Sequence, residues 1–114
     1  MVFTDLYARS CAVTQEPTLP ALEAAHIRPD AEGGAHGPSN GVLQRREMHS
    51  LFDAGYVTIT PSLRLEVSPR IREEFDNGTH YFALRGREID QPTDARWRPD
   101  PKALRWHNDK RFNG

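Results

Sequence analysis

Leu22-Glu-Ala-Ala-His-Ile-Arg-Pro29, with Ser39-Asn-Gly41 and Met48-His-Ser-Leu-Phe-Asp53 behind it, is the stretch on which the reading of this chain turns. Pro29 denies a helix room over residues 22–27, so Leu22 to Ile27 reads as a strand despite an alanine pair with little β preference. Gly33, Gly34, Gly37 and Pro38 then make Asp30 to Ser39 a loop. Gly41-Val-Leu-Gln-Arg45 reads as the return strand. A helix is predicted from Arg46 to Ala54, with Gly55 as its stop. Strand, loop, strand and helix in that order would carry His26, Asn40 and His49 to one spot. Asn40-Gly41 taken alone is a tight-turn signal, because both residues tolerate positive φ.

Working outward, Phe3, Leu6 and Tyr7 stand at i, i+3, i+4, the spacing of a short amphipathic helix. The stretch Val2 to Arg9 looks like the last turns of a helix, which suggests the C-terminal piece of a larger enzyme. Gln15-Glu-Pro17 marks a turn. Tyr56 to Thr60 and Leu63 to Val67 alternate with a period of two around Pro61-Ser62 and predict a β-hairpin. Pro69 to Phe75 suggests a helical turn. Tyr81 to Leu84, ahead of Gly86, is a short element of open type. Asp100-Pro101 supplies a cap and a first-turn proline for a helix running to about Phe112, with Trp97, Trp106 and His107 closing the core.

A chain of 114 residues with 37% hydrophobic and 27% charged residues fits one soluble globular domain, residues 1–114. It has no apolar run near the roughly 20 residues a membrane helix needs and no signal-peptide pattern, so a cytoplasmic protein with no membrane partner is expected. The single cysteine, Cys11, cannot form an internal disulfide or a zinc knuckle and reads as a small buried hydrophobe. Fifteen basic residues against sixteen acidic ones give a net charge of −1. A domain that grips DNA alone usually carries a basic excess, so most affinity and specificity for DNA should reside elsewhere. Arginine nevertheless outnumbers lysine, which occurs only at Lys102 and Lys110, and arginine's planar fork suits phosphate.

His26, Asn40 and His49, framed by Ser10-Cys-Ala-Val-Thr14, Ala25-His-Ile-Arg-Pro29, His49-Ser-Leu-Phe-Asp-Ala-Gly55 and Leu104-Arg-Trp-His107, resemble the HNH endonuclease family. More narrowly, the chain is similar to the HNH domains that close many bacterial restriction endonucleases. The resemblance implies an α+β fold with a ββα-metal (HNH, or His-Me finger) core at about residues 22–55, extended by the extra hairpin and flanked by N- and C-terminal helices. It implies a metal-dependent endonuclease acting on double-stranded DNA in restriction or defence. Hydrolysis would leave 5′-phosphate and 3′-hydroxyl ends, and sequence or modification recognition would come from a further N-terminal domain. Cutting both strands with one site per chain suggests a homodimer formed through that domain.

In-line hydrolysis of a phosphodiester needs a base for water and a cation for the phosphorane and the departing oxygen. By the resemblance, His26 is the general base and Asn40 holds its ring in position. On the helix, His49 and Asp53 stand at i, i+4 and can share one cation. Asp53 has a second reading, as the carboxylate that orients His49. Arg28, Arg45 and Arg46 flank the site and are candidates for phosphate contacts, whereas His36 and His80 read as exposed loop residues. One departure is Ala25, where many family members place an aspartate or histidine as first metal ligand. An alanine binds no ion, so an aspartate introduced at this position is expected to tighten divalent binding. One divalent ion is expected, Mg²⁺ or Mn²⁺ with Zn²⁺ or Ni²⁺ as alternatives. Ala25 and the weak positive charge also leave a second reading, a non-catalytic DNA-binding or structural remnant of the HNH fold.

Overall fold

In the computed structural model, which describes residues 3–75 and 79–114, strand β1 (Leu22–His26) pairs antiparallel with β2 (Gly41–Arg45), in a register that sets His26 opposite Gly41 and Leu22 opposite Arg45. Side chains alternate across a strand, and along β1 this buries Ala25 and leaves Ala24 and His26 exposed. Helix α2 (Arg46–Ala54) follows β2 without a loop and seats Met48 and Phe52, one turn apart, in the core. It ends at Gly55 in the left-handed conformation, φ 84°. A Cβ at that glycine would stand 2.2 Å from the Arg111 carbonyl oxygen, so the position needs glycine both for its φ and for the close approach of the C-terminal segment.

Strands β3 (Val57–Ile59) and β4 (Leu65–Val67) form a second antiparallel pair. Short helices α1 (Phe3–Leu6), α3 (Arg70–Phe75) and α4 (Thr79–Phe82) lie around the two sheets. Helix α5 (Pro101–Lys110) closes the chain, its N-terminus capped by the Asp100 carboxylate, which accepts from the Lys102 amide at 3.0 Å. The architecture is α+β, with helices against two small antiparallel sheets. One apolar cluster joins all of it: Ile27 and Leu43 from the first sheet, Phe52 from α2, Ile59 and Leu65 from the second sheet, and Leu104 from α5. Burial of each side chain of this size contributes about 1.5–3 kcal/mol. Cys11 is buried in the same cluster, its sulfur accepting from the Arg45 amide at 3.3 Å.

Several local expectations give way to tertiary structure. The N-terminal helix stops at Leu6, because Ala8 (φ 52°) and Arg9 (φ 57°) turn left-handed; Val2 lies outside the described residues. Ser39-Asn40-Gly41 is no primed hairpin turn. Residues Pro38–Asn40 form a 3-10 turn and Gly41 is extended at φ −139°, since the connection between β1 and β2 is long and Asn40 is spent on holding it. The hairpin strands are shorter than their alternating pattern, with Leu63 at φ 65° between them. Helix α5 ends at Lys110, two residues short of Phe112. Trp97 and Trp106 are only half-buried, whereas His107 is enclosed.

His107 ties three elements together. Its ring stacks on Phe52 at 3.6 Å between centroids, its Nε2 donates to the Phe52 carbonyl at 2.8 Å, and its Nδ1 accepts from the Thr58 hydroxyl at 2.7 Å. Asn108 donates to the same hydroxyl oxygen at 2.7 Å. Helix α5 thereby fixes the C-terminal end of α2 against β3, through partners that satisfy every nitrogen of the buried ring.

Candidate functional site

A cleft of about 270 Å³ opens where the end of β1, the following turn, α2 and the C-terminal segment meet, and it is lined by His26, Pro29, Asp30, His49, Asp53 and Arg111. Strand β1 delivers His26 to it from its exposed face. The ring has no hydrogen-bond partner among the described residues, so it is free to meet a ligand. On its other side His26 borders a smaller, mostly apolar hollow of about 210 Å³ with Phe3, His36 and Asn40.

Asn40 is buried, and all its side-chain hydrogen bonds go to backbone. Its Oδ1 accepts from the Arg28 amide at 3.0 Å, and its Nδ2 donates to the carbonyls of Arg28 and Ala35, each at 2.8 Å. The expected contact with the His26 ring is replaced by a clamp on the chain two residues beyond it. Asn40 therefore fixes where β1 ends, and through the strand where His26 stands.

On α2 the i, i+4 pair is closed: His49 Nε2 lies 3.1 Å from Asp53 Oδ2. The other nitrogen, Nδ1, lies 3.0 Å from Glu23 Oε1 on β1. A neutral imidazole has one N–H and donates to only one of two carboxylates. If Glu23 takes it, the lone pair of Nε2 faces the Asp53 carboxylate, an arrangement that a cation between them relieves. Among the described residues no group of three or more His, Cys, Asp or Glu side chains converges as a metal site. His49 and Asp53 are the residues that would hold a divalent ion here, a nitrogen and an oxygen donor, with water and phosphate left to supply the rest.

Glu23 was not legible as a site residue, because an acidic residue on an edge strand reads as a solvated charge. Here its Oε1 lies 3.0 Å from His49 Nδ1 and orients the ring; carboxylates that orient a metal-binding histidine are worth about 10- to 100-fold in metal affinity or activity. Glu23→Gln is accordingly expected to weaken Mn²⁺ binding in a calorimetric titration by that range while leaving the melting temperature of the metal-free protein in place. Unchanged affinity would remove Glu23 from the site.

The flanking arginines divide. Arg45 pairs with Glu47, and Arg46 Nε lies 3.5 Å from Glu23 Oε2; neither lines the cleft. Arg28 packs against the Trp106 indole, 5.5 Å from its centroid. Ala25 is wholly buried and does not line the cleft, so an aspartate there would be enclosed by the core, and the expectation that it faces the ion is withdrawn. His36 is exposed and pairs with Asp30 at 3.1 Å. His80 is exposed on α4, and its ring meets Tyr81 edge-on at 5.3 Å.

Residues 11–60 match the model of a family described as HNH endonuclease. A comparison with curated protein sequences gave no match. Among solved structures, the fold is similar to that of a protein described as modification dependent TagI restriction endonuclease, with a TM-score of 0.65 and 22% identity. That likeness covers 98% of this chain and 36% of the other, so the chain spans about a third of that protein's length. At such identity it shows a shared fold. No helix among the described residues is long and apolar enough to cross a membrane. The matched segment holds Glu23, His26, Asn40, His49 and Asp53, and over that segment the chain is similar to the HNH endonuclease family.

Proposed function

We propose that this chain is the nuclease domain of a restriction or defence enzyme, one that hydrolyses phosphodiester bonds of double-stranded DNA with the help of one divalent ion. The observation that carries this reading is the single cleft shared by an unpartnered histidine, His26, and a histidine–carboxylate pair, His49 and Asp53. His26 accepts the proton of the attacking water. The water oxygen bonds to phosphorus, the P–O3′ bond breaks, and the 3′-oxygen leaves to take up a proton. His49 and Asp53 would hold the ion, and a divalent ion there would supply positive charge for the phosphorane and the leaving oxygen. Glu23 fixes the ring of His49, and Asn40 fixes the strand end that carries His26. Recognition of sequence or modification belongs to another domain, consistent with a net charge of −1.

The second reading, a remnant of the fold that binds DNA without cutting it, stands on Ala25 and the weak positive charge; with Ala25 buried in the core, the net charge of −1 is what still favours it. Conversion of supercoiled plasmid to nicked circles separates the two. The nuclease reading expects nicking in Mg²⁺ or Mn²⁺ that stops on addition of EDTA. DNA binding with no nicking in either ion would establish the remnant.

A further inference from the structure

Trp106, half-buried on α5, has two guanidiniums against its ring: Arg28 at 5.5 Å and Arg111 at 5.6 Å from its centroid. Both arginines are ordered by main-chain carbonyls, Arg28 by Glu32 and Arg111 by Asp53 at 3.3 Å. Neither pairs with a carboxylate among the described residues. In this they differ from Arg45, Arg46, Arg64, Arg85 and Arg96, each of which is neutralised by a glutamate or aspartate. Arg96 is the telling comparison: it also lies over a tryptophan, Trp97, yet Asp94 takes its charge. Arg111 lines the cleft with His26, His49 and Asp53. Arg28 lines a separate hollow of about 190 Å³ together with Lys102 and Asp100.

A guanidinium held in place and left uncompensated is an anion site in waiting, since the entropy of ordering a long side chain is already spent and no competing carboxylate must be displaced. Two guanidiniums that both lie against one ring stand no more than about 11 Å apart, within the reach of neighbouring phosphates of one strand. We propose that Arg28 and Arg111, both packed against Trp106, grip neighbouring phosphates of the DNA strand that enters the cleft. Arg111 takes the phosphate nearest His26, and Arg28 takes a neighbour. The inference rests on the nuclease reading for the direction of the strand. It places one of the two grips, Arg111, and the Trp106 ring both arginines pack on, outside the matched residues 11–60.

Binding of a short labelled duplex by the full chain, followed by fluorescence anisotropy in EDTA across a salt series, tests it without any cleavage. Each lost phosphate contact lowers the slope of log affinity against log salt by about 0.9. Arg28→Gln and Arg111→Gln are each expected to show that drop and to weaken binding about tenfold at low salt. Arg111→Lys, which keeps the charge, should restore the slope. Arg85→Gln removes an equal charge from a residue that does not line the cleft and is paired with Glu66, and should match the wild type. Wild-type slopes in both the Arg28 and Arg111 variants, a drop no larger than that of Arg85→Gln, or no duplex binding by the wild type would each overturn the proposal. Nicking by the wild type together with unaltered slopes sinks the arginine grip and spares the nuclease. Arginine-dependent binding without nicking upholds the grip and sinks the nuclease.

Discussion

His26→Ala is expected to lower plasmid nicking in Mn²⁺ by about 10²- to 10⁴-fold, the usual worth of a general base, with the circular-dichroism spectrum and melting temperature unchanged. The fold should survive because His26 is the exposed last residue of β1, opposite Gly41, and its ring makes no hydrogen bond among the described residues. Its removal leaves neither a core cavity nor an orphaned partner. The adjoining residues argue the same way, since Asn40 holds the strand end through the backbone of Arg28 and not through the ring. Loss of rate without loss of structure would mark His26 as a group that touches the reacting atoms. Nicking near the wild-type rate by a well-folded variant would remove it from the mechanism and direct attention to Asp30, the other proton acceptor at that end of the cleft.

How much of this was legible in the residues depends on whether the deciding interaction is local. β1, β2 and α2 fall within a residue of their sequence reading because Pro29 and Gly55 are local punctuation whose meaning does not depend on the rest of the fold. Ala8, Arg9 and Leu63 adopt positive φ with side chains that give no sign of it, so the early end of α1 and the short hairpin strands were hidden. The same division runs through the site. His49 and Asp53 share a helix face by spacing alone, and their juxtaposition could be read. Glu23 reaches His49 only through the pairing of β1 with β2 and the packing of α2, and Arg111 reaches the Asp53 carbonyl across 58 positions of sequence. Arg45 and Arg46 looked as available for phosphate as Arg28 did. Their carboxylate partners, Glu47 and Glu23, decide otherwise. Ala25 looked like a vacant ligand position until the register turned it into the core.

Acid is expected to destabilise this fold earlier than its carboxylates alone would, and His107 is the reason. Burial holds its pKa down from 6.5 to about 4, against a hydrogen bond to Phe52 that pulls the other way and with Arg111 adding a smaller repulsion. A base with a depressed folded pKa binds protons more readily when unfolded, so the neutral ring's contribution is fully present above pH 6.5 and is lost as the pH falls from there toward 4. A shift of this size corresponds to about 3 kcal/mol over that window, a large share of the stability of a small domain. Protonation also converts Nδ1 from acceptor to donor, and the Thr58 hydroxyl, which already accepts from Asn108, must reorganise to meet it. Urea denaturation of the wild type at pH 7.5 and pH 5 should therefore give a steep loss. In His107→Leu, stability at pH 7.5 should already be lower by about 1–3 kcal/mol, since the Thr58 hydroxyl proton loses its acceptor, but most of the change between the two pH values should vanish. Equal pH dependence in the two proteins would show that the ring is not the titrating group. Because His107 grips the carbonyl of Phe52, next to Asp53, and α5 leads straight into Arg111, the first region to loosen on acidification should be the end of α2 that carries the acidic half of the proposed ion site. Amide exchange at residues 52–55 should accelerate with falling pH before exchange in β1 and β2 does.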